Sequence, residues 1–213
     1  MAGSVCRDKE EAPGMKRVRE NINTIEYWDN RFITEGDHLW DPMNIVPHLS
    51  KRLPNAYKII DVGLGGGIMF RKLYEMRADL EYHGCDFSPA AIELLRNRPE
   101  GKFFKNLFVY DLLDPVPEEH VKAYDAVICG EVLEHLEEPD KAVERLVAMA
   151  RNRVIVTVPY RNSIRSPEHI WEFEPEDVEA LLKPYGVPAV QGVRKYRNLM
   201  GMVVLNGNDS KPV

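Results

Sequence analysis

The stretch EVLEHL sets Glu131, Glu134 and His135 at spacings of i, i+3 and i+4, which share one side if the stretch is helical. Two carboxylates and an imidazole on one face can hold a divalent cation. The same groups can instead move protons, contact a substrate or support a loop. A further imidazole, His169, lies in RSPEHIWEFEPEDVEALL, ahead of a Trp, a Phe and an acidic helix start. Upstream, KIIDVGLGGG at residues 58–67 is an apolar run that ends in Asp61 and is followed by four glycines in five positions. Backbone with so few side chains is suited to close approach by a ligand or by another part of the chain.

These residues need a scaffold, and 213 residues suffice for one sizeable core, so a single compact unit is expected. Hydrophobic residues at 44% and charged residues at 29% are ordinary for a soluble globular chain. No apolar run approaches the roughly 20 residues of a membrane span, and residues 1–20 lack the apolar segment of a secretory signal. Residues 1–20 are therefore expected to be a mobile tail, 21–54 a set of N-terminal helices capping a substrate pocket, and 55–213 the main domain of a cytoplasmic protein. The net charge of −6 disfavours a protein that grips long nucleic acid through phosphate contacts. The three cysteines form no CxxC, and Cys85 and Cys129 sit in strand-like runs, which suits buried free thiols.

After the tail, TIEYWDNRFITEGDHLWDPMNIVPHLSKRL carries apolar residues at roughly helical spacing, broken at Gly36, Pro42 and Pro47. Then strands and helices alternate. YKIIDVG, LEYHGCD, FFKNLFVYD, AYDAVICG and VIVTVPY read as strands, with GIMFRKLYEMR, SPAAIELLRNR and EPDKAVERLVAMAR as intervening helices. Ser88 and Pro89 occupy the N-cap and first position of the second of these helices. A last helix, PEDVEALLKPYG, precedes VPAVQGVRK and NLMGMVVLN, two runs so closely linked that they predict an antiparallel hairpin. The fold class is α/β: a doubly wound, mostly parallel seven-stranded sheet with a C-terminal antiparallel hairpin.

In such a sheet the ligand lies at the carboxyl ends of the strands, near the point where strand order reverses. A dinucleotide fingerprint GxGxxG fails by register, because Ile68 or Phe70 falls at its third position, and no GxxxxGK[ST] phosphate loop is present. A nicotinamide oxidoreductase is thereby disfavoured. What fits is DxGxGxG, with Asp61, Gly63, Gly65 and Gly67. Together with HGCDFS, FVYDLLDP and CGEVLEHLEEP in order, it resembles the class I S-adenosylmethionine-dependent methyltransferases over about residues 55–205. The resemblance implies S-adenosylmethionine as cofactor. Asp86, beside Phe87 and nineteen residues after Gly67, would hold the ribose hydroxyls; Asp111 would meet the adenine amino group and Leu112 its ring face. Leu64 departs from the small residue more usual at its place and is expected to alter packing under the turn.

The EVLEH stretch with the later His169 further resembles the ubiquinone-pathway O-methyltransferases and the small-RNA 3′-terminal 2′-O-methyltransferases. That subset implies Glu131, Glu134, His135 and His169 as ligands to Mg²⁺ or a similar divalent cation beside an acceptor hydroxyl. Three roles stay open for these residues: cation ligands, metal-free catalysis or substrate contact by His135, His169 or Glu131, and structural support. Tyr27, Trp28, Phe32, Trp40, Tyr160, Arg161 and Trp171 are candidates for the acceptor pocket, and Arg161, Arg165, Arg194, Lys195 and Arg197 for a local basic rim. A small-molecule methyl acceptor and a monomer or homodimer are expected. The alternatives are an RNA-end 2′-O-methyltransferase and a non-catalytic S-adenosylmethionine-binding subunit.

Overall fold

The computed structural model of this protein describes residues 14–36, 45–161, 165–193 and 197–205. In chain order the elements are β1 (Lys16–Arg17), α1 (Ile25–Glu35), α2 (Val46–Ser50), β2 (Lys58–Val62), α3 (Ile68–Met76), β3 (Glu81–Asp86), α4 (Pro89–Arg96) and β4 (Phe104–Val109). They continue with β5 (Tyr124–Gly130), α5 (Pro139–Met149), β6 (Ala150–Pro159), β7 (Trp171–Glu172), α6 (Pro175–Leu182), β8 (Pro188–Val193) and β9 (Asn198–Val204).

Seven strands form one sheet in the order β4-β3-β2-β5-β6-β9-β8. The first five are parallel, and β9 runs antiparallel to both β6 and β8, as the short link between the last two apolar runs predicts. Strand order reverses between β2 and β5, so a crevice opens where their carboxyl ends part. Central strands read as continuous apolar runs because both faces are covered. Ile60, on one face, packs with Ala142, Val143 and Leu146 of α5. Ile59, on the other, packs with Met69 and Leu73 of α3 and Leu95 of α4.

Local signals set the helix starts. The Ser88 hydroxyl accepts from the Ala91 N–H at 3.1 Å, with Pro89 opening α4. At α6 Glu174 and Asp177 form a reciprocal capping box. Pro47, expected to break a helix, instead lies in the first turn of α2, where a missing N–H costs nothing. Residues 16–17, expected within a mobile tail, pair as β1 with β7, Arg17 opposite Trp171 and Lys16 opposite Glu172. Two-residue strands carry no readable period, so neither was visible in the sequence. Cys85 and Cys129 are buried free thiols, and no helix among the described residues is long and apolar enough to cross a membrane.

Candidate active site

The crevice at the β2/β5 reversal is a cavity of about 360 Å³, within the range of small-molecule sites. Its floor is the turn after β2. Gly63 has φ 72°, and a Cβ there would stand 2.4 Å from Cγ2 of Val132 in the turn after β5. A glycine at this position thus lets the two turns that form the crevice touch. Leu64 is buried beneath the turn, and its Cδ1 lies 3.2 Å from where a Cβ on Gly84 would begin; this glycine makes room for the bulkier residue. Gly67, also left-handed, is the N-cap of α3 and stands behind the cavity lining.

Asp86 ends β3 and receives two backbone donors at 2.9 Å, Gly65 N–H on Oδ2 and Ser88 N–H on Oδ1. Burial outweighs these donors and pushes the carboxyl up to about 6. Asp61 is buried without a hydrogen-bond donor among the described residues, and burial, then the Asp86 charge, drive it well above the usual carboxylate range. Asp111 accepts from Leu113 N–H at 2.9 Å. Asp61, Gly63, Gly65, Asp86, Phe87, Asp111 and Leu112 all line the cavity.

The other end of the same cavity holds the carboxylate and imidazole groups. The shared helical face expected of Glu131, Glu134 and His135 does not form. Glu131 takes a left-handed backbone, φ 55°, and only Leu133–His135 make a single 3₁₀ turn. The fold compensates by adding His169: one ligand atom each from Glu134, His135 and His169 lie within 4.8 Å of one another. Glu134 Oε1 is 3.8 Å from Nε2 of His135 and 4.0 Å from Nε2 of His169. Glu134 is fully buried with no hydrogen-bond donor on either oxygen among the described residues. Burial, then the charge of Glu131, push its carboxyl well up.

His135 Nδ1 lies 3.1 Å from the carbonyl of Glu168. A carbonyl can only accept, so Nδ1 carries the proton and Nε2 presents its lone pair toward Glu134. Burial, then His169, hold His135 down to about 3, so the ring is neutral near pH 7. Glu131 lines the cavity outside this three-residue group, its Oε2 accepting from the Asn198 side chain at 2.7 Å.

Of the aromatic candidates, Trp28 and Phe32 line the cavity, Trp28 edge-on to the His135 ring at 5.3 Å. Tyr27, Tyr160, Arg161 and Trp171 are not in its lining. The Tyr27 hydroxyl donates to Glu168, Arg161 pairs with Glu174, the Trp171 indole donates to the Leu136 carbonyl, and Tyr160 forms a lone bridge with Phe173. Arg165 reaches the cavity edge, while Trp40, Arg194 and Lys195 lie outside the described residues. Sequence reasoning missed Arg31, Glu168 and Asn198. The only local sign of Glu168 was its place beside His169.

A family profile described as a methyltransferase domain matches residues 60–156, from β2 through most of β6. The match covers a little under half of the chain, and the fold around it is that of the class I, S-adenosylmethionine-dependent methyltransferases. The chain is 26% identical over 127 residues to the ubiquinone biosynthesis O-methyltransferase of Shewanella sp. (strain ANA-3). That match covers 59% of this chain and spans about half, 52%, of the relative's length. A chain of the complex between the Haloferax volcanii Trm112 methyltransferase activator and a methyltransferase shares its fold at a TM-score of 0.68 and 16% identity, covering 88% of this chain and 98% of that one. Magnesium protoporphyrin IX methyltransferase of Synechocystis PCC 6803, solved with S-adenosylmethionine bound, shares it at a TM-score of 0.60 and 17% identity, covering 89% and 100%.

Proposed function

We propose that this methyltransferase methylates a hydroxyl of a small molecule held beside Glu134, His135 and His169, with a divalent cation on those three side chains. The observation that carries this reading is Glu134: a fully buried carboxyl without a hydrogen-bond donor among the described residues, facing two imidazole nitrogens in the cavity that the glycine turn also lines. Leaving such a group unpaired costs several kcal/mol, and a bound cation offsets that cost. One carboxylate with two imidazoles suits manganese, iron or zinc better than magnesium, which favours an all-oxygen shell. Glu131, in the same cavity, is the fourth candidate ligand. A cation bound there would polarise the acceptor oxygen and lower its pKa.

The rest falls to the chain itself. Asp86 accepts the ribose hydroxyls, Asp111 the adenine amino group, and Phe87 and Leu112 pack against the base, while Gly63 and Gly65 admit close backbone approach and Asp61 supports the turn. Trp28 and Phe32 of α1 shield the cavity from water, aligning the acceptor oxygen with the methyl group. An imidazole held as low as His135 is a weak general base at neutral pH, which favours a ligand role over metal-free proton abstraction. Relatives named for O-methylation support oxygen as the acceptor atom.

The test is transfer of a labelled methyl group to a panel of phenols and catechols, beside amines, thiols and a 3′-terminal RNA. Hydroxyl acceptors should be methylated, chelator should stop the reaction and Mn²⁺ should restore it. Transfer that ignores the chelator overturns the cation; transfer confined to amines, thiols or RNA overturns the acceptor class.

A further inference from the structure

The turn that carries His169 is gripped by side chains from the N-terminal segment. Arg19 donates to the Ser166 carbonyl at 2.6 Å and Asn23 to the Glu168 carbonyl at 2.8 Å. The Tyr27 hydroxyl reaches Glu168 Oε1 at 2.6 Å, Arg31 donates to the same oxygen, and the Ser166 hydroxyl takes Oε2. Glu168 is only 2% exposed. A charge removed from water this completely contributes little net stability even when well paired, so its use is sought in what it orients.

What it orients is visible at its own backbone. The Glu168 carbonyl accepts a hydrogen bond from the protonated Nδ1 of His135, which leaves that ring's Nε2 facing Glu134. The next residue is His169, whose Nε2 also faces Glu134. Glu168 thus contacts one imidazole through its carbonyl and precedes the other in the chain. Its grip begins in α1, which also touches the opposite end of the cavity. Asp29 accepts from the Ser88 hydroxyl and from Ala90 N–H at 3.1 Å, just beyond Asp86, and the Phe32 ring stands 3.5 Å from where a side chain on Gly65 would begin.

We infer that Glu168 is a positioning residue. Through Tyr27 and Arg31 it ties α1 to the turn 166–169, fixes the Nδ1-protonated tautomer of His135 and aims both imidazoles at Glu134. Only its effect on cation binding rests on the function proposed above; the tautomer is a property of the cation-free protein.

The experiment compares wild type with Glu168→Gln, full-length and saturated with S-adenosylhomocysteine, by ¹⁵N shifts of the histidine rings and by titration of Mn²⁺. Wild type should show His135 protonated at Nδ1 alone. The variant should show a mixture of tautomers and bind Mn²⁺ about 10- to 100-fold more weakly, with S-adenosylhomocysteine affinity within about threefold of wild type. Tyr27→Phe, which removes one hydrogen bond and keeps the ring, should move both readouts the same way by less. A His135 tautomer unchanged in these variants overturns the inference. Wild type that takes up no Mn²⁺ overturns the cation reading instead, and the tautomer still decides the role of Glu168.

Discussion

At the end of the cavity proposed for the cofactor, Asp86 receives two backbone N–H donors from the turns beside it; at the end proposed for the acceptor, Glu134 receives none among the described residues. The first carboxylate is held in place by backbone that the strand-turn-helix unit supplies automatically, and keeps lone pairs for neutral hydroxyls. The second, on the proposed reading, is left for a cation. The two ends also differ in descent. Asp61, the glycines and Asp86 come from one contiguous β-α-β unit, whereas Glu134, His135, Glu168 and Arg31 come from three segments brought together by the fold.

The contrast can be broken at either end. The largest effect is expected from Gly63→Ala, which combines a left-handed φ with a 2.4 Å approach to Val132. Urea unfolding should show a loss of about 2–4 kcal/mol, and S-adenosylhomocysteine binding should fail. Next, Glu134→Leu should stabilise the cation-free protein by about 1–3 kcal/mol, because it removes a buried carboxyl that no hydrogen bond among the described residues satisfies. A loss of stability there would mean that Glu134 is a structural residue and the two ends are alike.

The pH dependence sharpens the same contrast. Asp86 is raised to about 6 in the folded protein from an ordinary value near 4. Its contribution to cofactor-free stability is therefore fully present below pH 4 and is lost as pH rises through 6. Under the proposed role of Asp86, ligand binding runs the other way, since the ribose hydroxyls would need the carboxylate. The Kd for S-adenosylhomocysteine should rise up to about tenfold per unit as pH falls below 6, and calorimetry on Asp86→Asn should show that slope flattened. The smallest effect is expected at Asn198→Ala, which removes the Asn198 hydrogen bond to Glu131 Oε2. It should weaken Mn²⁺ binding by less than about tenfold and leave S-adenosylhomocysteine binding unchanged.

The cofactor end was legible in the sequence because each of its signals is local: an apolar run, an acid at its end, glycines, then helical spacing, with Ser88 and Pro89 marking the next helix. The acceptor end was legible only as residue types. EVLEHL read as a helix would have placed Glu131 with Glu134 and His135, but the left-handed Glu131 turns the chain and His169 completes the group across 34 residues of sequence. Glu168 and Arg31 were invisible, because buried charge pairing between distant segments leaves no periodic trace. Trp171 and Tyr27 were legible as aromatics, yet they stand outside the cavity lining, their polar atoms donating to the Leu136 carbonyl and to Glu168, two residues that do line it.

The most direct measurement is a calorimetric titration of Mn²⁺ into chelator-stripped protein saturated with S-adenosylhomocysteine, wild type beside Glu134→Ala. Saturable one-site heat in wild type that disappears in the variant, with S-adenosylhomocysteine affinity unchanged, is the predicted result. No cation heat in wild type, or the same heat in the variant, would contradict a cation site at Glu134, His135 and His169.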